Sequence, residues 1–86
     1  MSHKKPLKYR TLRKILKTFG ITEIKRRGKG SHRTFQGVVD GRLVHYPTKC
    51  HGEGEDKPVA VIEAFRRAFR LTEDDGISDQ EFYSRA

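Results

Sequence analysis

Ser31-His32-Arg33-Thr34-Phe35-Gln36-Gly37-Val38-Val39-Asp40-Gly41-Arg42-Leu43-Val44-His45-Tyr46 holds two strand-like runs joined by Asp40-Gly41. That dipeptide favours a two-residue hairpin turn, because both central positions need positive φ. The turn then sets the register: Val39 faces Arg42, Gly37 faces Val44, Gln36 faces His45 and Phe35 faces Tyr46. One face collects Phe35, Val44 and Tyr46. The other collects His32, Thr34, Gln36 and His45, interrupted by Val38 and Leu43 near the turn. The first set is the expected core face.

Upstream, Leu12, Ile15, Leu16 and Phe19 recur at helical spacing within Tyr9 to Phe19, and Gly20 supplies a stop. Arg10, Arg13, Lys14 and Lys17 take the remaining faces, so this helix could lie beside a phosphate backbone. A short strand is expected near Ile24, followed by a turn at Gly28-Lys29-Gly30. Downstream, the acidic loop Gly52 to Asp56 precedes Pro58, which suits the first turn of a second helix. Val61, Ile62, Phe65, Ala68 and Phe69 would form its buried face. Glu63, Arg66, Arg67 and Arg70 would stay outside, with Glu63 and Arg67 spaced as an i,i+4 pair. Ser78-Asp79-Gln80-Glu81 has capping-box spacing for a last short helix that Phe82 would dock. The expected fold class is α+β, with a three-stranded antiparallel sheet, two helices on one face and a short C-terminal appendage. The division is a basic tail at 1–8, a domain at 9–71 and an acidic appendage at 72–86.

Charge is unevenly divided. Of the formal net +8, residues 1–51 carry fourteen Lys and Arg against Glu23 and Asp40, while residues 52–86 carry five against nine acids. Clustered cations bind polyphosphates through counterion release, which makes nucleic acid the first partner to consider. A lone cysteine, Cys50, permits no intramolecular disulfide, so a reducing, cytoplasmic setting is the expectation. Met1 to Arg10 is basic but no continuous apolar run follows, so neither a signal peptide nor membrane association is expected.

Four features occur in an order that resembles the HicA family of bacterial toxins. They are the helix ending at Phe19-Gly20-Ile21, the basic strand Ile24 to Arg27, the run Lys29-Gly30-Ser31-His32-Arg33-Thr34-Phe35, and a later strand ending in Pro47 with His51 beyond. The resemblance covers about residues 9 to 71. Four positions separate Pro47 from His51, where the family usually keeps them closer, and both the acidic loop and the acidic tail lie outside its pattern.

The resemblance implies a double-stranded-RNA-binding-domain-like α-β-β-β-α sandwich that cleaves mRNA without a metal or cofactor, neutralised by a HicB-like antitoxin. It makes His32 the catalytic residue. Imidazole titrates near pH ~6.5, so both protonation states are available for proton transfer. His45, on the same expected face, is the second proton-transfer candidate. Arg26, Arg27, Lys29 and Arg33 would hold phosphate oxygens, with Gly30 and Ser31 shaping the turn that lets RNA approach. Ser31 is read as orienting the turn rather than as a nucleophile, since no carboxylate–His pair activates it. His45, Cys50 and His51 match no common zinc spacing and lack a fourth ligand. Two alternatives share the residues: a non-catalytic RNA-binding module of the same fold, and a protein-interaction module whose basic half clasps an acidic partner.

Overall fold

Asp40 and Gly41 have φ of 52° and 78°, the left-handed pair that closes a two-residue hairpin. In the computed structural model, which describes residues 3–24 and 32–86, the turn joins β3 (His32–Val39) to β4 (Arg42–Lys49). The register is the expected one, from Val39 opposite Arg42 to Phe35 opposite Tyr46, and it continues to His32 opposite Lys49. A Cβ on Gly41 would meet nothing within 4 Å, so a substitution there costs backbone strain rather than a clash. Gly41→Val is therefore expected to destabilise by about 1 kcal/mol or more, lowering Tm by at least ~4 °C. An unchanged melting temperature would place the turn elsewhere.

The order of elements is β1 (Leu7–Lys8), α1 (Tyr9–Thr18), β2 (Thr22–Ile24), β3, β4, β5 (Asp56–Lys57), α2 (Val59–Ala68), a 3-10 turn (Glu73–Asp75) and α3 (Asp79–Tyr83). β2, β3 and β4 form an antiparallel sheet in that order, while β1 and β5 make a separate two-stranded ribbon. The α1–β2 connection packs closely on Gly37: a Cβ there would lie 2.8 Å from Ile21 Cγ1, so a larger residue would force Ile21 to shift. Because Val39 and Arg42 close the turn as a bonded pair, alternate residues of β4 turn their N–H toward β3. Pro47 falls in the outward set, where its missing N–H costs no ladder bond and blunts the sheet edge.

α1 and α2 cover one face of this sheet. Leu12, Ile15 and Leu16 from α1 and Ile62 and Phe65 from α2 are fully buried together with Phe35. Phe65 sets its edge against Phe35 at 5.3 Å between ring centroids and lies 4.7 Å from Tyr46, tying α2 to the middle of both long strands. On the other face Val38 and Leu43 remain 71% and 59% exposed. The coarse α+β expectation therefore stands.

Several local expectations do not. Arg66 is 1% exposed rather than outside, and it is Arg66, not Arg67, that pairs with Glu63. Its guanidinium also bonds Asp79 and the carbonyls of Leu71 and Ile77, so a side chain that periodicity assigns to the margin becomes the anchor of the C-terminal segment. Pro58 is the N-cap of α2, just before its first turn. Residues 72–86 share the core of the rest, with Phe82 and Tyr83 buried and Phe82 stacked on Phe19 at 5.9 Å. At the other end, residues 1–8 include Leu7, which is buried, and β1, whose Leu7 and Lys8 face Lys57 and Asp56. Lys57 is itself buried, donating to the Lys49 carbonyl and lying 3.3 Å from Glu55.

Candidate nucleic-acid interface

The inward commitment of Phe35 forces the even-numbered residues of β3 outward, and this alone aims His32 at solvent. His32 opens β3 on the uncovered face, exposed, with Lys49 directly opposite on β4. Thr34 and Gln36 follow it along the strand, facing Pro47 and His45. His45 does share the face with His32. However, its partner Gln36 lies four residues along from His32, which separates the two positions by about 13 Å along the strand at ~3.3 Å per residue. That distance is too great for both to act on one phosphodiester, so the structure does not bring the two histidines together.

The cation nearest to His32 in the described register is Lys49, which sequence reading missed. The signal was present: extending the hairpin register three residues beyond Tyr46 pairs them. Pro47 obscured it by reading as a strand end, whereas its outward-facing nitrogen lets the strand continue.

Arg33 lies on the opposite face from His32. Its Nε is 3.4 Å from Glu23 Oε2, within a polar cluster behind the sheet. Tyr9, fully buried, donates its hydroxyl to Glu23, and Arg13 reaches both Glu23 at 3.4 Å and Glu53 at 2.7 Å. Burial, then the bond to Glu23, pushes the Tyr9 phenol up from its ordinary pKa. The Arg13 guanidinium holds the Glu53 carboxyl below the usual carboxylate range. Glu23 is one of two acids in residues 1–51, and it gathers a tyrosine and two arginines from two elements, α1 and β3. The cluster joins α1, β2, β3 and the acidic loop before β5. The loop's excess charge is thus partly spent on structure: Glu53 on Arg13, and Glu55 on the backbone N–H of His51 at 2.7 Å.

Arg26, Arg27, Lys29, Gly30 and Ser31 lie outside the described residues. The chain reaches and leaves that segment at Ile24 and His32, and Ile24 is paired with Thr34, two residues from His32 on the same face. Cys50 is buried with its thiol 3.1 Å from the Gly52 carbonyl, while His51 is exposed. Among the described residues, no group of three or more His, Cys, Asp or Glu side chains is arranged to hold a metal ion. No described helix is long and apolar enough to cross a membrane.

Chemically, the open face offers at His32 an exposed imidazole with a lysine directly across the strand pair, flanked in sequence by the basic run Lys25 to Lys29. An imidazole beside cations can move a proton at a phosphate while the cations take up developing charge. No family model matches this chain, and no curated protein or solved structure matches it.

Proposed function

We propose that this protein is a HicA-like toxin, a ribonuclease of double-stranded-RNA-binding-domain-like fold that cleaves mRNA with His32 as its proton-transfer residue. The observation that carries the reading is the position of His32. It is exposed at the head of a strand on an uncovered sheet face, opposite Lys49 and one residue beyond the Lys29-Gly30-Ser31 motif. In the reaction, a ribose 2′-OH attacks the adjacent phosphorus, forming the P–O2′ bond while the P–O5′ bond breaks. His32 would accept the 2′-OH proton or supply one to the departing 5′ oxygen, with water or a lysine completing the transfer. Arg26, Arg27 and Lys29, with Lys49 from β4, would hold the phosphate. Arg33 is reassigned: its contact with Glu23 makes it a brace behind the site.

The resemblance implies a HicB-like antitoxin as the partner that keeps the enzyme inactive. Val38 and Leu43 give such a protein apolar surface to cover on the face that bears His32.

One observation favours a second reading, a non-catalytic RNA-binding module. The other histidine on the open face, His45, is placed about 13 Å along the strand from His32, too far to complete an acid–base pair. His32→Ala separates the two readings. RNA degradation lost with binding retained supports the ribonuclease, and identical behaviour of variant and wild type supports the binding module.

A further inference from the structure

α1 carries a stripe of cations on the side away from the core. Arg10, Lys14 and Lys17 fall within about 60° of one another at 100° per residue, opposite Leu12, Ile15 and Leu16. All three are exposed, and none makes an ion pair or side-chain hydrogen bond among the described residues. Glu53, the acid within electrostatic reach of Arg10, is already held by Arg13.

This arrangement works against folding. Arg10 and Lys14 are spaced i,i+4 and Lys14 and Lys17 i,i+3, separations at which like charges repel on a helix. Arg10 also stands in the first turn, beside the positive end of the helix dipole, and that turn has no acidic residue to compensate. Lys17, in the last turn, is favourably placed for the dipole, but the like-charge repulsions along the stripe persist in solvent, whereas a polyanion relieves them.

The stripe also borders a concavity. Arg10, Arg13, Lys14 and Lys17 from α1 and Thr22 from β2 line a groove of about 420 Å³ floored by Ile21. The acid in its lining, Glu23, has an 11% exposed side chain and is engaged by Tyr9 and Arg13. From Arg10 to Lys17 the stripe runs about 10.5 Å at 1.5 Å per residue. Three cations spread over that length can each neutralise one phosphate of a nucleic-acid strand. The groove's β2 wall leads within a few residues to the basic segment 25–29 and then to His32.

We infer that the groove between α1 and β2 is a second phosphate-backbone site, in which Arg10, Lys14 and Lys17 grip the RNA strand away from the scissile bond. The inference rests on the RNA reading above but not on cleavage. It gives the enzyme a footprint longer than the open face provides, and hence a preference for extended RNA over dinucleotides.

The test compares R10Q/K14Q/K17Q with its parent, both in the full chain carrying His32→Ala so that the probe survives. The probe is a labelled RNA oligonucleotide of roughly 20 nucleotides, titrated at several salt concentrations. Losing three phosphate contacts should flatten the log–log salt slope by about 2 and weaken binding roughly 100-fold at 0.1 M salt, given about 0.7 counterions released per single-strand phosphate. The melting temperature should hold or rise, since repulsion is removed. An unchanged slope and affinity overturns the proposal. So does loss of polyglutamate binding with RNA binding intact, which would assign the stripe to an acidic protein. Failure of the ribonuclease reading appears separately, as equal cleavage by wild type and His32→Ala, and leaves this titration interpretable.

Discussion

His32→Ala is expected to abolish growth arrest when the chain is expressed without a partner, and to slow RNA cleavage by ~10²-fold or more, about 2.7 kcal/mol of lost transition-state stabilisation. RNA affinity should stay within several-fold of wild type, because one exposed imidazole adds little beside so many cations. The sheet geometry sharpens the comparison with its neighbours. His45→Ala should leave cleavage nearly unchanged, since Gln36 and not His32 stands across from it. Lys49→Gln removes the ammonium opposite His32 and should produce an intermediate loss with a slightly shallower salt dependence. This ordering, His32 far above Lys49 and Lys49 above His45, is specific to a site built at the head of β3. Equal RNA degradation by wild type and His32→Ala, with contaminating nuclease excluded, would remove the ribonuclease and leave the binding module.

The parts of this fold that local chemistry determines were legible in the sequence. Asp40-Gly41 specifies its own turn, and once it does, the period-two alternation assigns Phe35 and Tyr46 inward and His32 and His45 outward without further information. The helical stripes of α1 and α2 were equally local. What escaped were contacts between residues distant in sequence. β1 and β5 are two residues each, too short to show a period, and their pairing joins segments nearly fifty residues apart. Arg66 carries a charge, and charge at a helix margin ordinarily means solvent. Only the arrival of Glu63, Asp79 and two carbonyls makes its burial tolerable. For the site, the resemblance placed Arg33 among the phosphate ligands beside His32. Adjacent residues in a strand point to opposite faces, and the claim of Glu23 on Arg33 was visible only once β2 was laid beside β3.

The buried guanidinium leads to the largest expected loss of stability. Arg66 Nε donates to the Leu71 carbonyl at 2.8 Å, Nη2 to the Ile77 carbonyl at 2.9 Å, and Nη1 to Asp79 at 2.7 Å and Glu63 at 3.1 Å, while its Cζ lies 4.8 Å from the Phe82 ring centroid. Arg66→Ala strips two carbonyls and two carboxylates of their shared donor and opens a gap under Phe82. Breaking a buried ion pair by removing one partner costs ~3–5 kcal/mol. Glu63 keeps Lys4 at 3.6 Å and the Tyr83 hydroxyl at 3.4 Å, and Glu63 and Asp79 have side-chain exposures of 18% and 20% that let water in, so the lower end, about 3 kcal/mol, is expected. At ~4–8 °C per kcal/mol for a domain of this size, Tm should fall by more than 10 °C. Acid should reveal the same contact. The Arg66 guanidinium holds the Asp79 carboxyl below the usual range, so the stability from that carboxylate is complete above its unfolded pKa, near ~3.9, and is lost as pH falls through the lower folded value. Asp79→Asn should therefore be less stable at neutral pH yet lose less on acidification below about pH 4 than wild type. Phe82→Ala should expose the same C-terminal segment and combine with Arg66→Ala less than additively, since both release one docked element. A melting temperature for Arg66→Ala within 2 °C or so of wild type would mean that residues 72–86 do not pack on α2, and that Arg66 is the solvent-facing residue its periodicity suggests.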